Sequence, residues 1–383
     1  MVLLSAGGDA ASPALQMLLR QKIDWPRLCA LADYEQATSV LWAQLSRLGC
    51  STDPGSAALQ RLAMVSEFGL RRLQRRLYET CDALAAAGVN AVALKGAAVA
   101  HTAYASFVER PMSDIDLLVA PEQAEAAQKI LRASRWTQGP SGYPDEAYAG
   151  HQHLPPYVDA HGSGARLELH TDLFFEGHPF RFSPGMVHGG ARRIRAGRHD
   201  LLVPDPLHQL LHACLHFVYG HLMGLAAWRT FRDVAALGAS GLIDWTAFID
   251  LARVSGGATS CYWTFRLARA TAGVSVPSEV LDALCPPLPG AALRILERHF
   301  MLGLLPTDAS CPSVRLRNLM WHIGVFPGRH DGRSVRPWGR LRRLGTRSRT
   351  PASGTLQRVL PHLRHAASSP RYLWQVLRGV PGI

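Results

Sequence analysis

From residue 13 to about residue 88, apolar side chains recur at helical spacing: Leu15, Leu18 and Leu19, then Leu28, Leu31 and Ala32, then Leu70, Leu73 and Leu77. The pattern predicts a helical module over residues 1–88. Gly88 ends it, and Val89 to Leu94 form a short apolar run that stops at Gly96, as a buried strand entering a tight turn would. Ala97 to Tyr104 is alanine-rich and predicts a helix, Ser106 to Ser113 with Pro111 reads as a loop, and Asp114 to Val119 as a second strand. Pro121 suits the first turn of a helix whose apolar face is Ala124, Ala127, Ile130 and Leu131. Residues 137–164, rich in Gly, Pro, His and Tyr, predict an irregular excursion or long hairpin loop. Ala165, Leu167 and Leu169 alternate with Arg166, Glu168 and His170, the signature of a half-exposed strand. Helical spacing returns over 206–305. Residues 306–383 mix an arginine-rich tail with short helices such as Tyr372 to Leu377. The fold class expected is therefore α+β: strands and helices over 89–205, flanked by the two helical modules 1–88 and 206–305.

Composition narrows the setting. The 383 residues are 48% hydrophobic, enough for a proper core. The N-terminus lacks a basic leader and is broken by Gly7, Gly8 and Asp9, and no run approaches the ~20 apolar residues of a membrane helix, so a cytoplasmic chain without a transmembrane segment is expected. Cys29, Cys50, Cys81, Cys214, Cys261, Cys285 and Cys311 are scattered singly, which argues for reduced thiols in or near the core. The net charge of +12 comes almost wholly from arginine, since only Lys22, Lys95 and Lys129 are lysines. Arg333, Arg336, Arg340, Arg342, Arg343, Arg347 and Arg349 concentrate this excess around Trp338. Such a tail is a solvated basic segment or a grip for nucleic acid or an anionic surface, and the nucleic-acid partner is not the favoured reading.

Chemistry gathers in the middle of the chain. Residues two apart on a strand share a face, so Asp114 and Asp116 in DIDLLV present two carboxylates side by side. Acidic oxygen ligation suits Mg²⁺ or Mn²⁺, and Glu168 offers a third carboxylate to complete the site. Upstream, Gly96 in LKG stands between strand and helix, where backbone N–H groups receive phosphate, and Lys95 is a candidate contact to a triphosphate. Arg110, four residues before Asp114, is placed to neutralise charge on a transferred phosphoryl group. His170 shares a face with Glu168, where it either orients that carboxylate or contacts the nucleotide.

The segment LKGAAVAHTAYASFVERPMSDIDLLV, followed by LELH, resembles the uncharacterised bacterial nucleotidyltransferases of the polymerase-β superfamily, which share LKG, a downstream tyrosine, Arg-x-x-x-Asp-Ile-Asp and a third acidic residue just before a histidine. The likeness extends less specifically to IDWPRLCALA and FRDVAAL. It implies a polymerase-β-type core over 89–205, with Asp114, Asp116 and Glu168 as catalytic metal carboxylates and Gly96 opening the phosphate-binding turn. Ala97 stands where the wider superfamily has Gly or Ser. The implied reaction moves a nucleoside monophosphate from an NTP, with ATP expected, to a hydroxyl or phosphate of an unidentified small-molecule, sugar or peptide acceptor, releasing pyrophosphate. Kinase-like transfer at the same charges, or an RNA-modifying enzyme using the tail, are the rivals.

His208, His212 and His216 recur every four residues on one predicted helix face. A zinc site there would need an acidic third ligand from elsewhere. The stripe reads instead as facing the cleft or as a satisfied interface, while His151, His153 and His161 fall in the long loop with roles open.

Overall fold

The computed structural model describes residues 22–49, 53–139, 148–224, 227–304, 314–327, 372, 376 and 377. Leu15 to Leu19, Cys50, Cys311 and the arginine cluster around Trp338 lie outside the described residues. The fold is α+β, built around a seven-stranded mixed sheet.

Helix α1 (Trp25–Tyr34) starts where the Asp24 carboxylate accepts the Arg27 N–H at 3.1 Å, with Pro26 in the first turn, where its missing N–H costs nothing. It packs with α2 (Thr38–Arg47) and the start of α3 (Ala57–Ala86) through Trp25, Cys29, Ala32, Leu41, Leu45 and Leu59. At 30 residues α3 is roughly 45 Å long. Its far half reaches beneath the sheet, where Leu73, Leu77, Cys81 and Leu84 meet the strands. One helix thus belongs to two cores.

The sheet runs in the order β3-β4-β5-β2-β1-β7-β6. Strand β1 (Val92–Ala93) is shorter than the apolar run Val89 to Leu94 because Lys95 already begins α4 (Lys95–Thr102). It pairs antiparallel with β2 (Ile115–Leu118) and parallel with β7 (His199–Val203). β2 pairs parallel with β5 (Arg166–His170) in the register Asp116↔Glu168 and Leu118↔His170. Ile115, Leu117, Leu167 and Leu169 point to the α3 side, against Ala127 and Leu131 of α5 (Ala124–Ala133). By alternation Asp116, Leu118, Glu168 and His170 take the opposite face. That face carries the active-site candidates.

The excursion 137–164 is a long hairpin: β3 (Trp136–Gln138) and β4 (Tyr157–Asp159) pair antiparallel, and residues 140–147 between them lie outside the described residues. Strands of three residues in a Gly/Pro-rich stretch leave no alternation to read. A second hairpin, β6 (Arg192–Ala196) to β7, turns at Gly197, whose φ of 64° suits a tight connection. Short helix α6 (Pro184–Gly189) precedes it.

The C-terminal helices cover the candidate face. α7 (Pro206–Leu215) is capped by Asp205 on the Leu207 N–H at 2.9 Å and runs into one π turn, His216–Gly220. α8 (Ala227–Ala239), α9 (Trp245–Val254), α10 (Ala258–Ala272), α11 (Ser278–Leu284), α12 (Gly290–Leu304) and α13 (Val314–Val325) follow. Their core takes in Val92, Leu94, Val99 and Leu118 from the sheet side, and Tyr372 packs onto it through His299. Trp228 of α8 closes the ring by donating to the Glu35 carbonyl beside Ala37 and Val40. Among the described residues no helix is long and apolar enough to cross a membrane. Cys29, Cys81, Cys214 and Cys261 are buried free thiols, whereas Cys285 is exposed.

Candidate active site

The parallel register of β2 and β5 sets Asp116 and Glu168 directly opposite each other, and His170 follows two residues along. Ligand atoms of Asp116, Glu168 and His170 all lie within 4.8 Å of one another. The Lys95 ammonium donates to Asp116 Oδ1 at 2.8 Å, and His170 Nε2 meets the same oxygen at 2.8 Å. His170 Nε2 is also 3.5 Å from Glu168 Oε2, and His153 Nε2 is 3.4 Å from it on the other side. His153 arrives there because it bridges His170 backbone to backbone, so the 137–164 hairpin does deliver a residue to the site. Asp114 lies just before β2, half-buried, accepting the Ser113 hydroxyl at 3.1 Å.

The electrostatics divide the three carboxyls. Burial, reinforced by the charges of Asp116 and Glu168, pushes Asp114 up to about 6. Burial also acts against ionised Asp116, yet Lys95 and the His170 bond hold it well below the usual carboxylate range. Glu168 is likewise held low against its burial, chiefly by His170. For Lys95 the opposing pulls are burial and the surrounding carboxylates, and the carboxylates win, raising it. Lys95 and His170 offset Asp116 and Glu168, and the raised Asp114 carboxyl marks the negative charge left over. The donor set of carboxylate oxygens with one imidazole fits a hard or borderline divalent cation.

Lys95 adopts a left-handed backbone at φ 47°, uncommon for a residue with a side chain. That conformation ends β1, opens α4 and brings the ammonium onto Asp116. Gly96 follows for a steric reason: a Cβ there would lie 3.0 Å from Arg110 Nη1 and 3.3 Å from the Met112 side chain. No side chain caps α4, so its first N–H groups have no side-chain acceptor.

Arg110 lines the same space as these carboxyls, but its guanidinium is already engaged within the chain. Its guanidinium is buried, with Nε and Nη2 donating to the two Asp233 oxygens at 2.8 and 2.7 Å, and Nη1 donating to the Pro111 carbonyl. Tyr104 donates to the same Asp233 at 2.9 Å. Asp233, from the FRDVAAL segment, was not legible as a partner of Arg110 because 123 residues separate them. The bidentate pair ties the loop before β2 to α8.

A cavity of about 820 Å³ opens over these residues. Lys95, Gly96, Asp114, Asp116 and Glu168 line its floor; His212, His216 and His221 line its helical wall; Tyr34 and Glu35 line its N-terminal edge. Of the histidine stripe, His212 and His216 therefore face the cavity. Burial, with Lys95 nearby, drives His212 down to about 3 and holds His216 well below the ordinary imidazole value, which favours the neutral ring in both. They do not converge with an acid into a metal set among the described residues.

Adjacent carboxylates on neighbouring strands and a helix start without a side-chain cap thus open into one cleft beneath the C-terminal helices. Residues 21–273 match the family described as "Uncharacterised nucleotidyltransferase", and the chain belongs to that family. No curated protein and no solved structure matches the chain.

Proposed function

We propose that this nucleotidyltransferase is Mg²⁺- or Mn²⁺-dependent and moves a nucleoside monophosphate from an NTP, ATP by preference, to a hydroxyl or phosphate of a small-molecule, sugar or peptide acceptor. The observation that carries the reading is the in-register pairing of Asp116 with Glu168 on parallel strands, with Asp114 beside them at the floor of one cavity. Asp116, Glu168 and His170, with Asp114 at the edge, would hold the ion, which supplies charge neutralisation and lowers the barrier to attack at phosphorus when bound. The chain's own groups do the rest. The α4 start receives phosphate oxygens, and Lys95 moves between Asp116 and the nucleotide. The acceptor oxygen forms a bond to the α-phosphorus, the bond from that phosphorus to the β-phosphate bridge breaks, and pyrophosphate leaves. Glu168, flanked by His153 and His170, takes the acceptor's proton. The neutral histidine wall and Phe174 flank the space above, where it excludes water from the reacting groups.

The test incubates the protein and Asp114→Asn/Asp116→Asn with each labelled NTP and an extract of acceptors, followed by mass spectrometry. The expected product is an acceptor heavier by one nucleoside monophosphate, formed by the wild type and absent from the variant. Gain of a single phosphate would replace the reading with phosphoryl transfer, and equal turnover by the variant would remove the assigned site.

A further inference from the structure

Two of the cations that line the cavity near the carboxylates are already compensated within the chain, Lys95 by Asp116 and Arg110 by Asp233. Arg229 is not. It sits on α8 one turn before Asp233, so the bidentate lock on Arg110 also fixes where Arg229 stands. It lines the same cavity as Asp114 and Gly96. Its Nη1 donates to Gln36 Oε1 at 3.0 Å, and among the described residues no carboxylate lies within ion-pair distance of it. Burial and the neighbouring Arg110 lower its proton affinity, while Asp114, Asp233 and Glu35 pull the other way. A guanidinium half withdrawn from water without a counter-ion favours binding an anion. His221, beside it on the cavity wall, is pushed down to about 4 by burial and by the charges of Lys95 and Arg229, so it leaves room for a negative ligand without adding charge.

Resting on the nucleotidyltransferase reading, we infer that Arg229 is the polyphosphate clamp of this site, holding the β- and γ-phosphates of the incoming nucleotide from the helical side. A triphosphate carries more negative charge than one divalent ion and Lys95 offset, particularly above three carboxyls. Arg229 supplies the missing charge, and its planar fork suits two phosphate oxygens at once. The clamp comes from α8 and not from the strands, so a polyphosphate bridges sheet and helical lid. A nucleoside monophosphate, lacking those phosphates, does not reach it.

Isothermal titration in magnesium buffer compares wild type, Arg229→Gln and Arg229→Lys, with ATP, inorganic tripolyphosphate and AMP as the titrants. Circular dichroism and thermal unfolding confirm the fold of each protein. Arg229→Gln is expected to bind ATP and tripolyphosphate about 10- to 100-fold more weakly, as loss of a charge-assisted contact implies, with AMP affinity unchanged. Arg229→Lys keeps the charge without the fork and falls between; should the glutamine variant not fold, a lysine variant that binds ATP as tightly as wild type overturns the clamp. Unchanged ATP binding by Arg229→Gln, or an equal loss for ATP and AMP, also overturns it. A wild type that binds neither ATP nor tripolyphosphate fails the nucleotidyltransferase reading itself, which separates the two outcomes.

Discussion

Asp116 is the residue on which the site turns. It is buried, yet it stays ionised because an ammonium and an imidazole share its Oδ1. Removing the ammonium leaves a buried carboxylate beside Glu168 with only histidine for company. Lys95→Met is therefore expected to cost about 3–5 kcal/mol, the usual penalty for breaking a buried pair from one side. The loss should be recovered in part by millimolar Mg²⁺ or Mn²⁺, measured as Tm with and without the ion. A variant whose Tm ignores both ions would mean that these carboxyls do not form a cation site. Gly96 illustrates the same tightness in steric form. The Arg110 guanidinium that a Cβ would press against is pinned by Asp233 and has no freedom to move aside.

At the scale of elements, α8 is docked by the Arg110–Asp233 pair and by Trp228 on the Glu35 carbonyl. Asp233→Ala strands a buried guanidinium and should destabilise by about 3–5 kcal/mol. Arg110→Ala strands the carboxylate to a similar extent. The double variant should lose clearly less than the sum, and additive losses in urea unfolding would show that the pair does not act as one unit. The β3–β4 hairpin has its own anchor. Arg76 of α3 is buried 3.3 Å from Asp159, donates to the Ser134 carbonyl and lies over the Trp136 ring at 4.7 Å. Against its burial, bonds from Ser163 and the His161 N–H together with Arg76 hold the Asp159 carboxyl below its ordinary value. A depressed carboxyl contributes stability that is full above the unfolded pKa of about 3.9 and is lost as pH falls through the folded value. Asp159→Asn should thus be less stable than wild type at pH 7, and the gap should narrow below about pH 4. Urea midpoints at the two pH values decide it, and a gap independent of pH would remove Asp159 ionisation as the anchor.

The whole molecule places three contributors around one cavity: Tyr34 and Glu35 from the N-terminal helices, the carboxyls from the sheet, and His212, His216 and Arg229 from the C-terminal helices. The cores are shared in the same way, since α3 serves both the N-terminal cluster and the sheet, and Leu118 belongs to the helical core although its strand neighbour Leu117 does not. This sharing explains why two short strand-bearing segments, 95–119 and 165–170, supply the floor of the site while its walls come from elements far along the chain.

What the chain determines by itself is local. The alternation of β2 and β5 puts Asp116 on the face away from Leu117, and Glu168 with His170 on the face away from Leu169, because period-two geometry needs no partner. Gly96, by contrast, is required by the packing of Arg110 and Met112 against it. The register that brings Asp116 to Glu168, the capture of Arg110 by Asp233 and the arrival of His153 and Arg229 join residues far apart in sequence, and nothing in their own neighbourhoods encodes the partner. Only tertiary packing decides them, since a buried charge takes whichever opposite charge or polar group the completed core leaves within reach.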